Sequence, residues 1–372
     1  MATLKGVTLT LLMGPIAVAP PPREVIDALQ SAQVTTAVGQ RSGFQIVFTY
    51  SKTSPIAKSL LPSGYFDPLV RVILVATLNG VPKVLADGPI KRQDVMASSQ
   101  PGENRLTITG EDVTGYMNLL AFDGMPYPAM PPFARVAMIL AKYAMFGVVP
   151  VPIPSIFQSA DSPTDRYAHH QGTDFEYVDK LAKDAGYEFY ITPGPAPGMN
   201  TAYWGPQVRV GIPQPAITID MDHASNVDSL SFSADGNAAT LPYAFVKVAG
   251  FSIPVPVPDI GLLKPPLSAR PLVPTKVKLL DTERMKMPEV MMALLAGRGG
   301  ADPISASGSI DLSRYGQPLD ARSLVGVRGA GLAHDGLYYV RSVTNTLGRG
   351  SWKQSFQLVR DGLVANVPMV PA

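Results

Sequence analysis

Four histidines, His169, His170, His223 and His334, could offer metal ligands in a chain that has no cysteine. His169 and His170 are adjacent, so a helix would aim them at different faces, and no HExxH or comparable ligand spacing surrounds any of the four. They are expected to be structural or solvated, with His334 an exposed residue of the Asp335-Gly336 turn. The densest carboxylate group is Asp220, Asp222 and Asp228. Paired carboxylates suit hydrolysis of a glycosidic bond, and clustered ones suit calcium, but the Asp-x-Asp-x-Asp-Gly loop pattern is missing. A solvated end to the strand-like Ala216 to Ile219 is the expectation. Gly326-Val327-Arg328-Gly329-Ala330-Gly331 has the wrong spacing for a dinucleotide loop, and no helix with an acidic ribose partner follows. No GxSxG elbow or Walker A run occurs. Met285, Met287, Met291 and Met292 crowd a short helix and read as adaptable packing. No catalytic residue, cofactor or metal is therefore expected.

The elements that would position any site read mainly as strands. Val7 to Ala19 is apolar and ends in Ala-Val-Ala, as signal peptides do, yet Thr8, Thr10, Gly14 and Pro15 interrupt it. A strand leading to the short helix Arg23 to Leu29 is expected. Phe44, Ile46, Phe48 and Tyr50 alternate, as in a strand with one buried face. Val70 to Leu78 meets Asn79-Gly80, a dipeptide suited to a type I′ turn, and Val81 to Ala86 returns. Arg105 to Thr109 adds a strand. A helix follows over Phe133 to Met145, with Val136, Ile139, Leu140 and Tyr143 inward and Arg135 and Lys142 on an outer side. Thr173 and Glu176 form a capping box for the next helix, whose apolar face is Phe175, Val178, Leu181 and Ala182. Gly186 stops it before the strand from Tyr187.

Residues 193–215 and 251–274 are proline-rich and expected to be extended, outside central strands. Pro288 to Ala296 reads as one more short helix. Strands return over Ser323 to Arg328, Leu337 to Thr344 and Ser351 to Arg360. The layout of strand, Asn-Gly or Asp-Gly turn, strand, glycine loop and third strand thus occurs twice, at Val70 to Gly110 and at Ser323 to Gly362.

Composition narrows the partners. Hydrophobic residues make up 46% and charged ones 16% of the 372 residues, against about a quarter charged in an ordinary domain. Such thin charge fits faces covered by other subunits and argues against disorder. Thirty-one basic against 29 acidic residues, net +2 and unclustered, give no case for specific nucleic-acid binding. Phe133 to Pro154 carries Lys142 and three prolines, so no stable membrane insertion is expected.

Four segments in matching order resemble the phage late-control protein D family, which includes the hub portion of type VI secretion spike proteins and of contractile injection systems. They are the strand and helix leading to Val34-Thr35-Thr36; Leu106-Thr107-Ile108-Thr109-Gly110-Glu111-Asp112; Asp174 to Ala182 with Gly186 to Tyr190; and Asp335 to Val343 with Trp352 to Arg360. Asn345 stands near a position where many members carry histidine. The resemblance implies an α+β, mainly β fold: two tube-like β-barrel domains (1–115 and 206–372, the second with a Pro-rich insertion at about 251–304) flanking a helical α+β domain (116–205).

It further implies a homotrimer whose pseudo-six-fold ring adapts a six-fold tail tube to a three-fold spike. The tail tube protein, a separate spike protein and baseplate wedge proteins would be its partners. Such a chain is made in the cytoplasm and assembled into a phage tail or injection particle. Ile56, Leu60, Leu61, Tyr65 and Phe66 are the expected contact with the tube or a neighbouring subunit. A tail-associated cell-wall hydrolase using Asp220, Asp222 or Asp228, or another β-rich tail subunit, is the competing expectation.

Overall fold

The computed structural model describes residues 6–100, 102–154, 168–238, 240–248, 251–256, 265–272, 276–280 and 302–367. The expected helix from Pro288 and the four methionines lie outside them.

The leading part holds β1 (Val7–Gly14), α1 (Arg23–Ala28), β2 (Leu29–Ala37), β3 (Gly43–Tyr50), a π-helical turn (Ile56–Leu60), β4 (Arg71–Leu78), β5 (Val81–Met96) and β6 (Asn104–Glu111). Phe44, Ile46, Phe48 and Tyr50 are all buried, as their alternation predicts. Asn79 and Gly80 adopt φ of 51° and 86°, the two positive values a type I′ turn needs. The return strand runs ten residues further than its apolar pattern. A bulge between Ile90 and Arg92 lets β5 leave β4 at Pro89 and continue alongside β6 to Met96.

The middle of the chain builds its own core. It contains α2 (Thr114–Met117), β7 (Pro126–Tyr127), α3 (Pro132–Ala141), β8 (Val148–Pro152), β9 (Ala168–His169), α4 (Asp174–Asp184), β10 (Glu188–Pro193) and β11 (Asn200–Gly205). The capping box forms: Glu176 N–H donates to Thr173 Oγ1, and Thr173 N–H to the Glu176 carboxylate. Val136, Ile139, Leu140, Val178, Ala182 and Trp204 close the core between the two longer helices and the β10-β11-β8 sheet. Two expectations fail here. β11 lies inside the stretch read as extended, yet it is the central strand, because its six residues contain no proline. Arg135 faces inward, donating to Met130 O at 2.6 Å and Tyr177 Oη at 3.4 Å, and Lys142 reaches Asp174. Tyr177 on α4 and the Met130 carbonyl turn Arg135 away from solvent, whereas Lys142 stays exposed on the outer side, as expected.

The trailing part holds β12 (Gln214–Thr218) and β13 (Ser229–Ala234), an excursion with β14 (Thr240–Val248), β15 (Phe251–Pro256), β16 (Ser268–Pro271) and β17 (Lys276–Leu280), then β18 (Ile304–Asp311), α5 (Leu312–Tyr315), β19 (Leu324–Arg328), β20 (Gly336–Gly348), β21 (Ser351–Arg360) and β22 (Gly362–Ala365). Proline-bearing β15 takes an edge of the β15-β14-β17 sheet.

One 12-stranded sheet joins the two ends of the chain: β1-β4-β5-β6-β3-β2-β20-β21-β18-β13, with β19 on β20 and β12 on β19. The trailing strands therefore run β12-β19-β20-β21-β18-β13, the order in which the leading ones run β1-β4-β5-β6-β3-β2. The match reaches single residues. β20 bulges against β21 between Val340 and Ser342, as β5 does against β6. Before each bulge, Leu69 N–H donates to Ile90 O and Ile90 N–H to Val70 O, while Arg322 N–H donates to Val340 O and Val340 N–H to Ser323 O. Leu69 and Arg322 both take a left-handed backbone, φ 73° and 64°. The copies differ in their first strand: β1 is antiparallel to β4, and β12 is parallel to β19.

Candidate channel face and assembly edges

The long link before β4 does not offer its apolar residues to solvent as a group. Ile56 and Phe66 are buried in the chain's own core, where Phe66 packs on Phe48 with ring centroids 5.6 Å apart. For those two the contact expectation is corrected: their side chains have no surface to give a partner. Leu60, Leu61 and Tyr65 are half-buried against the same core.

The sheet presents a second surface that the sequence reading missed. From β6 to β18 the strands bury a mainly apolar face and show mostly short polar side chains on the other, and β13 continues this pattern with its apolar side half-buried. β2 shows Ser31, Gln33 and Thr35; β20 shows Ser342, Thr344 and Thr346; β18 shows Ser305, Ser307 and Ser309; β13 shows Ser229, Ser231 and Ser233. These positions are in register, so the hydroxyls meet across strands. Thr35 and Thr344 Oγ1 lie 3.1 Å apart, and the Ser229–Ser309 and Ser231–Ser307 pairs each lie 3.0 Å apart. β3 adds Gln45, and β21 adds Lys353, Ser355 and Gln357. The charges of this face are Arg92 and Asp94 on β5, Arg105 and Glu111 on β6, Asp311 on β18 and Lys353 on β21, of both signs and spread along the sheet. The alternation in each strand was legible, but only the strand order makes the segments one surface.

Two backbone edges flank this face. Beyond its bulge, β5 from Arg92 to Met96 has β6 on one side and, among the described residues, no strand on the other. Among the described residues, β13 pairs with β18 alone. The leading and trailing strand sets meet where β2 runs antiparallel to β20, from Ala32 opposite Leu347 to Ala37 opposite Ser342. Asn345, in that junction, is buried and accepts hydrogen bonds from Trp352 Nε1 at 2.9 Å and Gln354 Nε2 at 2.8 Å.

The chemically capable residues are dispersed. Asp220 and Asp222 are exposed in left-handed backbone, φ 53° and 47°. Asp228 is ion-paired to Arg314 and, at 3.8 Å, to Lys353. His223 lies in the short helical turn after Asp220. His334 is half-buried, stacked on Phe232 at 4.4 Å, a correction to its reading as an exposed turn residue. Among the described residues no group of His, Asp and Glu is placed to hold a metal ion, and no helix is long and apolar enough to cross a membrane.

Among the described residues His170 shares full burial with Asp87, Asp174 and Arg360. Its Nδ1 lies 2.8 Å from Tyr127 Oη and its Nε2 3.5 Å from Asp174, while Lys142 and Tyr143 also bond Asp174. Burial lowers its pKa below the ordinary histidine range, and the opposing pull of Asp174 does not restore it. The unfolded chain then takes up a proton first, so this stabilisation is present above about pH 6.5 and is lost as the pH falls below it. The melting temperature should drop between pH 7 and pH 5, and less steeply in His170→Gln. Equal drops in the two proteins would show that His170 titrates alike folded and unfolded.

No family model matches the chain, and no curated protein matches it. Solved structures do. The 43 kDa tail protein of prophage MuSo2 from Shewanella oneidensis is similar over 96% of this chain and 100% of its own, at 12% identity and a TM-score of 0.61. The chain has the fold of phage tail proteins. A tail protein from Neisseria meningitidis MC58 shares this tail fold over 96% of this chain and 98% of its own, at 12% identity and TM-score 0.60. The Francisella PdpA–VgrG complex contains a chain similar over 100% of this one and 55% of that one, at 10% identity and TM-score 0.57. At such identities the likeness concerns the tail fold, and function has to be argued from the surfaces.

Proposed function

We propose that the protein is a non-catalytic baseplate hub of a contractile tail-like particle, working as a homotrimeric ring between a six-fold tail tube and a three-fold spike. One observation carries this reading: the same six-strand order occurs twice, down to the bulge and the left-handed residue before it. Three such chains present six near-equivalent surfaces to a six-fold partner while keeping three-fold symmetry for the other. The hydroxyl and amide face supports its use as the channel wall. Lacking dense charge of either sign, it would hold neither a passing nucleic acid nor a charged polypeptide. The partly exposed Leu60, Leu61 and Tyr65 are retained as a contact to the tube or a neighbouring subunit. The tail tube protein, a separate spike and baseplate wedges are the remaining proposed partners, met during particle assembly.

Native mass measurement of the purified chain over a range of concentrations tests the reading. A dominant trimer is expected. A strict monomer or hexamer would remove the symmetry conversion on which the proposal depends.

A further inference from the structure

We infer that the protein holds a small oxyanion, an inorganic phosphate or a short carboxylate, on the guanidinium of Arg322, in a cavity where the leading, middle and trailing parts of the chain meet. The site is built within one chain, so it stands or falls apart from the ring.

The cavity has a volume of about 230 Å³. Leu85 on β5, Ile191 on β10 and Val343 on β20 are buried and form apolar wall from each of the three parts. Thr36, Ser323 and Asn345 add polar groups. Asn345 spends its amide oxygen on Trp352 Nε1 and Gln354 Nε2, which leaves its NH2 group as a donor. Lys83 and Asp320 also line the cavity, but they are ion-paired with each other. Arg322 is the charge of the lining that no opposite charge meets.

The guanidinium is already fixed in place. Its Nη2 donates to Ala37 O at 2.7 Å, and its central carbon lies 4.0 Å from the centre of the Tyr190 ring. Among the described residues no carboxylate pairs with it, and the enclosed Nε has no hydrogen-bond partner. Nη1 and the second Nη2 hydrogen are the donors left for a ligand. Charges taken out of water are ordinarily paired, because desolvation alone disfavours them. Burial accordingly pulls the Arg322 pKa below the usual arginine range, against Tyr190, Glu188, Tyr339 and Asp112. An anion in contact would offset that cost directly.

The internal repeat shows that the cation is not needed for the turn it sits in. Leu69 holds the matching place in the leading copy with the same left-handed backbone, φ 73° against 64°. It is an apolar residue, 42% exposed. What a guanidinium adds at that place is a planar fork of donors suited to the oxygens of a phosphate or carboxylate. Volume bounds the ligand, since drug-sized molecules occupy pockets of about 300–1,000 Å³. A phosphate or an acid of a few carbons fits, and a nucleotide does not. Bound there, it would touch all three parts of the chain and stabilise their arrangement by mass action.

Thermal melts in phosphate and, separately, in succinate, each against chloride at equal ionic strength and pH, test the site, with titration calorimetry for affinity. At about ten times its Kd, an oxyanion that binds should raise the melting temperature by about 2 °C, and the one that does so identifies the ligand class. Arg322→Gln should weaken binding by roughly tenfold or more. Ala321→Leu, at a half-buried lining position, fills the cavity but leaves the cation, and should abolish binding even if Arg322→Gln fails to fold. Arg23→Gln removes an exposed cation on α1 and should bind as wild type does. Melts in both oxyanions that match chloride overturn the site. So does a rise that survives Arg322→Gln or Ala321→Leu, which would be salt acting on the whole surface, or one lost equally in Arg23→Gln.

Discussion

Asp87→Ala should lower the free energy of unfolding by about 3–5 kcal/mol, the usual cost of leaving a buried charge without its partner. Asp87 on β5 and Arg71 on β4 are both buried and meet side by side, Nε to Oδ1 and Nη2 to Oδ2, each at 2.7 Å. Arg71 Nη2 also donates to Phe146 O at 2.8 Å, just before β8. Asn200 Nδ2, on β11, donates to the same carbonyl at 3.0 Å and to Asp87 Oδ2 at 2.8 Å. The carboxylate therefore pins the middle of the chain to the leading strands as well as neutralising an arginine. Truncation strands a guanidinium in a site closed to water. Arg71→Met with Asp87→Leu removes both charges and should be far milder, because desolvation already offsets most of what such a pair contributes. Urea denaturation of the three proteins decides the matter. A single variant with an unchanged midpoint would mean that water reaches Arg71 and that the site is not dry.

None of that network was legible beforehand, for a definite reason. Arg71 and Asp87 are 16 residues apart and Asn200 is another 113 away from Asp87, so no local period links them. What could be read was local. Alternation gave β3, two positive-φ residues gave the β4–β5 hairpin, and one reciprocal pair of side chains gave the start of α4. Ile56 and Phe66 mark the limit from the other side. An apolar cluster in a long link looks the same in sequence whether it covers its own core or a partner's surface, and only the neighbouring Phe48 decides. The internal repeat was visible as an order of turns and strands, but its strength lies in backbone features. The matched bulges and the left-handed Leu69 and Arg322 involve unrelated side chains, so sequence identity carries no trace of them.

The repeat also explains why two of its closing positions carry opposite charges. With Gly110 equivalent to Leu358, Asp112 and Arg360 occupy the same place at the end of the third strand of each copy, and both are buried. Asp112 accepts backbone N–H bonds from Ser42 at 3.1 Å and Thr114 at 2.9 Å. Burial, the largest effect on it, pushes its pKa up against those bonds. Arg360 does the reverse, donating to Gly362 O at 2.8 Å, Asp335 O at 3.0 Å and Ala333 O at 2.7 Å, with its guanidinium 4.4 Å from the Tyr338 ring. One copy leaves amides to be capped and the other leaves carbonyls. Arg360→Ala should therefore cost about 3 kcal/mol, combining one orphaned buried acceptor at Gly362, two partly hydrated ones at Asp335 and Ala333, and the lost packing on Tyr338. Arg360→Lys keeps the charge but not the planar fork, and should still lose about 2 kcal/mol. Urea midpoints separate the explanations. If the lysine variant matched wild type, charge alone would hold the β21–β22 corner, and the fork geometry would have no part in it.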